Sequence, residues 1–147
     1  MPRVLEIAIQ TALAKQGVSV VAIPGDIALK QAHYRTPSAS IKRAEPLLRP
    51  SDGEITTLAG MLNKSGPITI LAGAGCAGAH AELMRLAEKL KSPIVTTLRG
   101  REHVEYDNPY DVGLTGLIGY SSGFHAMMEC ETLLMLGTDF PYTQFYP

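Results

Sequence analysis

Gly73, Gly75 and Gly78 stand at G-x-G-x-x-G spacing between an apolar run at 68–72 and a stretch with helical periodicity. That arrangement can hold a pyrophosphate. The first glycine permits a tight turn, the second lets backbone approach the phosphates, and the third lets helix and strand pack closely. The helix N-terminus then supplies partial positive charge. Alanines at 74, 77 and 79 keep the turn free of bulk. A nicotinamide site adds an acid about 20 residues on, at the end of the next strand, to grip the adenosine ribose. Here that position falls in "IVTTLRG" (94–100), which offers Thr96, Thr97 and Arg99; the next acid is Glu102. Classical NAD binding is therefore disfavoured. A different phosphate-bearing ligand, or a tight turn that binds nothing, remains open.

Ligands of open parallel sheets bind beyond the carboxyl ends of the strands, so two further loops matter. The stretch "LRGREHVEYDNPYDVGLTGLIGYSSG" (98–123) carries Arg99, Arg101 and His103, then glycines 113, 116, 119 and 123. The amides of Thr115, Gly116, Leu117 and Ile118 are placed to approach a flat ligand. The stretch "GTDFPYTQFYP" (137–147) adds Thr138, Asp139 and Tyr142. Asn108-Pro109 and Tyr110-Asp111 read as turn residues. Cys76 and Cys130 match no CxxC or zinc spacing and read as small buried thiols rather than nucleophiles. His125 and the Met127-Met128 pair sit on one helical stretch and read as packing or surface positions, not as a metal site.

Several elements must position these loops. The apolar positions Val4, Leu5, Ala8, Ile9, Ala12 and Leu13 repeat with a helical period closed by Gly17. A β-branched strand, "VSVVAI" (18–23), follows and ends at Pro24-Gly25. Residues 24–50 hold four prolines and no sustained period, as in an extended interdomain linker. A second unit opens at Ser51, an N-cap with Glu54 at the capping-box position. It alternates helix 54–65, strand 68–72, helix 79–91, strand 93–97, helix 121–131 and strand 132–137. Leu83, Leu86, Ala87 and Leu90 form the stripe of a helix packed on a sheet. The fold class is α/β with a parallel, Rossmann-like sheet. Three strands are fewer than the roughly five or six of a doubly wound domain, so the sheet reads as incomplete and the chain as a piece of a larger one.

Hydrophobic residues make up 46% and charged ones 18% of the 147, which supports a folded core. The net charge of -1 gives no general pull toward nucleic acid or anionic membrane. No run approaches the roughly 18 apolar residues of a membrane span. The N-terminus does not read as a signal peptide, and two distant cysteines fit a reducing cytoplasm.

The motifs "VSVVAIPGDIALK", "GAGCAGAHAEL", "LRGREHVEYDNPYDVGLTGLIGYSSGFH" and "LLMLGTDFPY" resemble the thiamine-diphosphate-dependent family of pyruvate dehydrogenase (quinone) and pyruvate oxidase. The likeness covers nearly the whole chain. It implies that residues 1–28 are the last helix and strand of a thiamine pyrimidine-binding domain, 29–50 a linker, and 51–147 the first part of a central FAD-binding domain. The implied flavin contacts are Thr115, Gly116, Leu117, Ile118, Thr138, Asp139, Phe140, Pro141 and Tyr142. Gly73, Gly75, Arg99 and Arg101 are expected as further neighbours. The glutamate that activates thiamine would precede this segment, and the GDG…N motif for diphosphate and Mg²⁺ would follow it. No catalytic or metal-binding residue is therefore expected here. The whole enzyme would oxidise pyruvate to acetate and CO2 and pass electrons through FAD to quinone, as a tetramer peripheral to the inner face of the cell membrane. This segment alone is expected to be inactive and, with an unfinished sheet, to self-associate. The alternatives are the central domain of an acetolactate-synthase-like or 2-oxo acid decarboxylase enzyme, or a non-catalytic nucleotide-binding module.

Overall fold

The computed structural model describes residues 2–31, 48–139 and 142–147, in two compact units that divide between residues 50 and 51. The linker stretch 32–47, with His33 and Arg35, and the expected ligand neighbours Phe140 and Pro141 lie outside the described residues.

In the first unit helix α1 spans Pro2–Lys15. The left-handed step that ends it falls at Gln16 (φ 49°) rather than at Gly17, whose N–H donates to the Ala12 carbonyl at 3.0 Å. The expected strand over 18–23 does not form: residues 18–24 have no regular secondary structure, and Val18 and Val20 are 93% and 86% exposed. β-Branched residues favour a pleated surface only where a neighbouring strand offers one, and the described residues of this unit contain no other strand. The "GDI" turn is the start of a four-residue helix, α2 (Gly25–Ala28).

The second unit begins with α3 (Asp52–Lys64), whose Ser51 and Glu54 form the full capping box. Four parallel strands follow, β1 (Ile68–Ala72), β2 (Ile94–Thr96), β3 (Asp111–Leu114) and β4 (Thr132–Leu136), in the order β3-β2-β1-β4. Helices α4 (His80–Leu90), α5 (Arg101–Val104) and α6 (Ser121–Met128) lie between them. This is the expected α/β class with a parallel sheet. β1 is buried along its whole length because both faces are covered. Ile68, Ile70 and Ala72 pack with Leu83 and Ala87 of α4 and with Val104. Leu71 points the other way and packs with Val95 and Met127 of α6. The α4 stripe packs as its spacing predicts, with Leu83 and Ala87 buried and Leu86 and Leu90 partly so.

β3 has no counterpart among the three expected strands. It is four residues long, opens on an aspartate and has an interior glycine, all of which weaken a strand signal. Pairing also shifts here: Ile94 faces Asp111 while Thr96 faces Leu114. The extra residue is accommodated at Gly113, where φ is +104°.

Candidate functional site: a cleft at the carboxyl edge of the sheet

The chain runs β1 to β3 toward one edge and then returns β4 to the other side of β1. Such a reversal leaves a crevice beyond the strand ends, where open α/β sheets bind ligands. A cleft of about 950 Å³ lies there, and the segment after every strand contributes to it. Ala74 follows β1; Thr97, Leu98 and Arg99 follow β2; Thr115, Gly116, Leu117 and Ile118 follow β3; Gly137, Thr138, Asp139 and Tyr142 follow β4. This volume is at the upper end of the roughly 300–1,000 Å³ of small-molecule sites. Eight expected positions thus come together: Arg99, Thr115, Gly116, Leu117, Ile118, Thr138, Asp139 and Tyr142. Ala74, Thr97, Leu98 and Gly137 were not among the expected neighbours. Their signal is positional, since each directly follows a strand end or lies one residue beyond it.

The glycine turn gives the cleft Ala74, and its glycines join two loops. The Gly73 N–H donates to the Leu136 carbonyl and the Gly75 N–H to the Gly137 carbonyl, both at 2.9 Å. The N–H groups of Cys76, Ala77 and Ala79 are spent within the turn, the first two closing a 3-10 turn over Ala74–Cys76. A Cβ on Gly75 would meet the Gly137 Cα at 2.6 Å. Gly73 and Gly75 thus make contacts between two backbones, which bring the β1 and β4 loops together. Gly78 has open space where a Cβ would stand, so its part is a φ of +79° rather than close helix packing.

Arg101 is held elsewhere. It does not line the cleft; its guanidinium donates to the Glu105 carboxylate, and its Nη1 donates to the Tyr120 hydroxyl at 2.9 Å. These bonds, that from Glu105 foremost, raise the guanidinium's pKa further and hold the Glu105 carboxyl below its usual range. Arg99 by contrast lines the cleft and is its one cation among the described lining residues. Leu98, Leu117 and Ile118 beside it are 63%, 79% and 65% exposed, an apolar surface large enough to cover a planar ligand.

Burial pushes the Cys76 thiol up, and its Sγ donates to the Leu136 carbonyl at 3.4 Å. It stays a protonated packing group. Cys130 donates to the Met127 carbonyl. Asn108 Oδ1 accepts from the Tyr110 N–H, the side-chain turn its sequence position predicts. His125 lies on the exposed side of α6, 3.7 Å from Glu129. Among the described residues no group of three or more His, Cys, Asp or Glu is arranged to hold a metal ion.

Comparison with known proteins agrees with this geometry. The chain is 57% identical over its full length to an uncharacterized 42.6 kDa protein of Pseudomonas amyloderamosa, spanning 37% of that protein. It is 35% identical, again over its full length, to a putative thiamine pyrophosphate-containing protein of Bacillus subtilis, spanning 26% of it. Pyruvate oxidase of Lactiplantibacillus plantarum is 29% identical over 98% of this chain and 24% of its own length; acetolactate synthases are also among the relatives. The chain thus spans 15% to 37% of the length of these relatives. Residues 55–147 match the family model for the central domain of thiamine pyrophosphate enzymes, and the chain belongs to that family.

Proposed function

We propose that this chain supplies the central-domain part of an FAD site in a thiamine-diphosphate- and Mg²⁺-dependent pyruvate-oxidising enzyme. The whole protein would convert pyruvate to acetate and CO2 and reduce a quinone, as a cytoplasmic homo-oligomer (a tetramer) peripheral to the membrane through regions outside this chain. Among the described residues no helix is long and apolar enough to cross a membrane. The observation that carries the flavin reading is the convergence of all four strand ends on one cleft of about 950 Å³ with a cation, an apolar wall and a glycine-bearing loop.

The donor set fits an extended dinucleotide. Among the described residues the amides of Gly116, Leu117 and Ile118 meet no backbone carbonyl. The Thr115 hydroxyl is buried at the cleft without a partner among those residues. Arg99 would hold the pyrophosphate as a charge-assisted donor. Leu98, Leu117 and Ile118 would cover an apolar ring face and exclude water, and Thr138, Asp139 and Tyr142 would close the far side. Bound FAD supplies a two-electron acceptor. The residues of this chain bind and orient; none is assigned to proton transfer, to thiamine or to Mg²⁺.

The acetolactate synthases among the relatives favour a second reading, in which the same cleft belongs to an enzyme of that type. Titrating FAD, FMN and thiamine diphosphate into the 147-residue chain while following flavin fluorescence tests the site. Saturable FAD binding is expected, with FMN weaker and thiamine diphosphate no competitor. Absence of FAD binding, both to this chain and to the longer protein that contains it, overturns the flavin reading. Pyruvate-dependent dye reduction by the longer protein, without acetolactate formation, then separates the two enzymes.

A further inference from the structure

Arg101 is the first residue of α5, and Tyr120 closes the loop that leaves β3. Between them stands the segment that lines the cleft, Thr115–Ile118. Both ends of that segment are fixed by backbone bonds: the Thr115 N–H donates to the Thr96 carbonyl at 3.0 Å and the Tyr120 N–H to the Leu114 carbonyl at 2.8 Å. In the middle the Gly119 N–H donates to the Gly116 carbonyl, also at 2.8 Å. The Tyr120 ring covers Gly113, where an added Cβ would stand 2.6 Å from its Cδ2. On its other side the ring is held by Arg101, whose guanidinium carbon lies 5.5 Å from the ring centre and whose Nη1 donates to the hydroxyl. Glu105 fixes the remaining edge of the guanidinium.

Beyond these three backbone bonds and the buried Thr115, the loop has two glycines and two outward-facing apolar side chains and little side-chain packing to order it. Leu117 and Ile118 are mostly exposed, so their own packing does not specify the shape. Glycine-containing segments lose more conformational freedom than others on ordering. An external anchor is what such a segment needs, and the planar guanidinium serves two partners at once with its fork of donors.

We propose that Arg101 is a positioning residue for the cleft: through the Tyr120 ring and hydroxyl it holds the 115–119 loop in its binding shape, without touching the ligand. Glu105 sets the orientation of Arg101, and the strand irregularity at Gly113 makes room for the ring. The ligand part of this inference rests on the flavin reading; the loop part does not.

The test is amide hydrogen exchange on the ligand-free full chain, comparing wild type with Arg101→Ala, Arg101→Lys and Tyr120→Phe. The hydrogen-bonded amides of Thr115, Gly119 and Tyr120 are expected to exchange about tenfold faster in Arg101→Ala and a few-fold faster in Tyr120→Phe, as for loss of hydrogen bonds at a local opening. Arg101→Lys should lie between wild type and Arg101→Ala, because an ammonium serves one partner well but lacks the fork. Amides of 68–72 in β1 should not change. Unaltered exchange at Thr115, Gly119 and Tyr120, or equal acceleration in β1, overturns the proposal. In a second arm FAD is titrated into the same variants, and affinity should fall roughly tenfold in Arg101→Ala and a few-fold in Tyr120→Phe. If Arg101→Ala weakens FAD while Tyr120→Phe leaves it unchanged, Arg101 contacts the ligand directly and the positioning role is wrong. If this chain binds no FAD in its wild-type form, the exchange arm alone decides this inference, and the flavin reading is decided on the longer protein.

Discussion

Gly75 and Gly137 touch backbone to backbone. The Gly75 N–H donates to the Gly137 carbonyl at 2.9 Å, and no Cβ fits between them. This contact joins the loops after β1 and β4 at the point where the sheet order reverses. Gly75→Ala should therefore lower stability by about 1–3 kcal/mol, the usual cost of forcing extra volume into a packed site. Gly137→Ala adds strain, because φ there is +60°. The contrast is Gly60→Ala in α3, where an added Cβ meets nothing within 4 Å; alanine in a helix interior should stabilise by about 0.5–1 kcal/mol. Urea midpoints of the three variants check this, and a Gly75→Ala midpoint equal to wild type would contradict it.

Arg99 gives the sharpest test of what the cleft holds. A hydrogen bond to a charged group contributes about 1.5–3 kcal/mol, so Arg99→Ala should weaken FAD by roughly tenfold to a hundredfold if the guanidinium meets the pyrophosphate. Riboflavin lacks the phosphates, and its affinity should barely move. Raising salt should also weaken FAD more in wild type than in the variant, since exposed charge pairs are screened. Equal losses for FAD and riboflavin would mean that Arg99 supports the cleft rather than its anion.

The legibility of this chain followed signal length. β1 and α4 were readable because a five-residue apolar run and a four-position stripe each bury their predicted faces. The capping box at Ser51 was readable because it is local. The expected strand at 18–23 failed for a non-local reason: Val18 and Val20 have strand chemistry but no strand beside them. β3 failed in the opposite sense, as its partner β2 imposes a strand on "DVGL", whose own preferences oppose one. At the site, the loops after β3 and β4 were found through their composition. The glycines at 73 and 75 and the arginine at 101 have chemistry that suits phosphate, and in this fold they bond tertiary neighbours. Only contacts 19 and about 60 residues apart in sequence, Arg101 with Tyr120 and Gly75 with Gly137, decide those cases.

The cap of α3 should respond to acid. The Ser51 side chain and then its N–H bond the Glu54 carboxylate and depress its pKa. A depressed folded-state pKa contributes stability that is present above the unfolded value and is lost as pH falls through the folded one. Ser51→Ala should cost about 1 kcal/mol of helix stability at neutral pH. The difference from wild type should shrink as pH drops below the ordinary glutamate range, where part of the box is already gone. No residue of α3 is fully buried, so the loss should appear as local fraying. Faster exchange of the amides at 54–56 with an unchanged β1 is the expected signature, and a pH-independent difference would argue against the carboxylate's part.

Among the described residues β4 forms one edge of the sheet, with β1 as its single neighbour. An edge strand presents a row of N–H and C=O groups that another chain can pair with. Met135 on this strand is 37% exposed, and the α1 residues Val4, Leu5 and Ile7 are 45–52% exposed. Exposed apolar surface in either unit favours association, as does an open strand edge. The 147-residue chain should therefore run above its 15.8 kDa monomer mass in light scattering at high concentration. Met135→Lys should shift it toward monomer, because a lysine on an edge strand disfavours pairing with a second edge. The same shift on replacing Val4 and Ile7 by polar residues, with Met135→Lys without effect, would place the contact on α1 instead. A sharp monomer at all concentrations would mean that neither surface associates, and that the expected self-association is wrong.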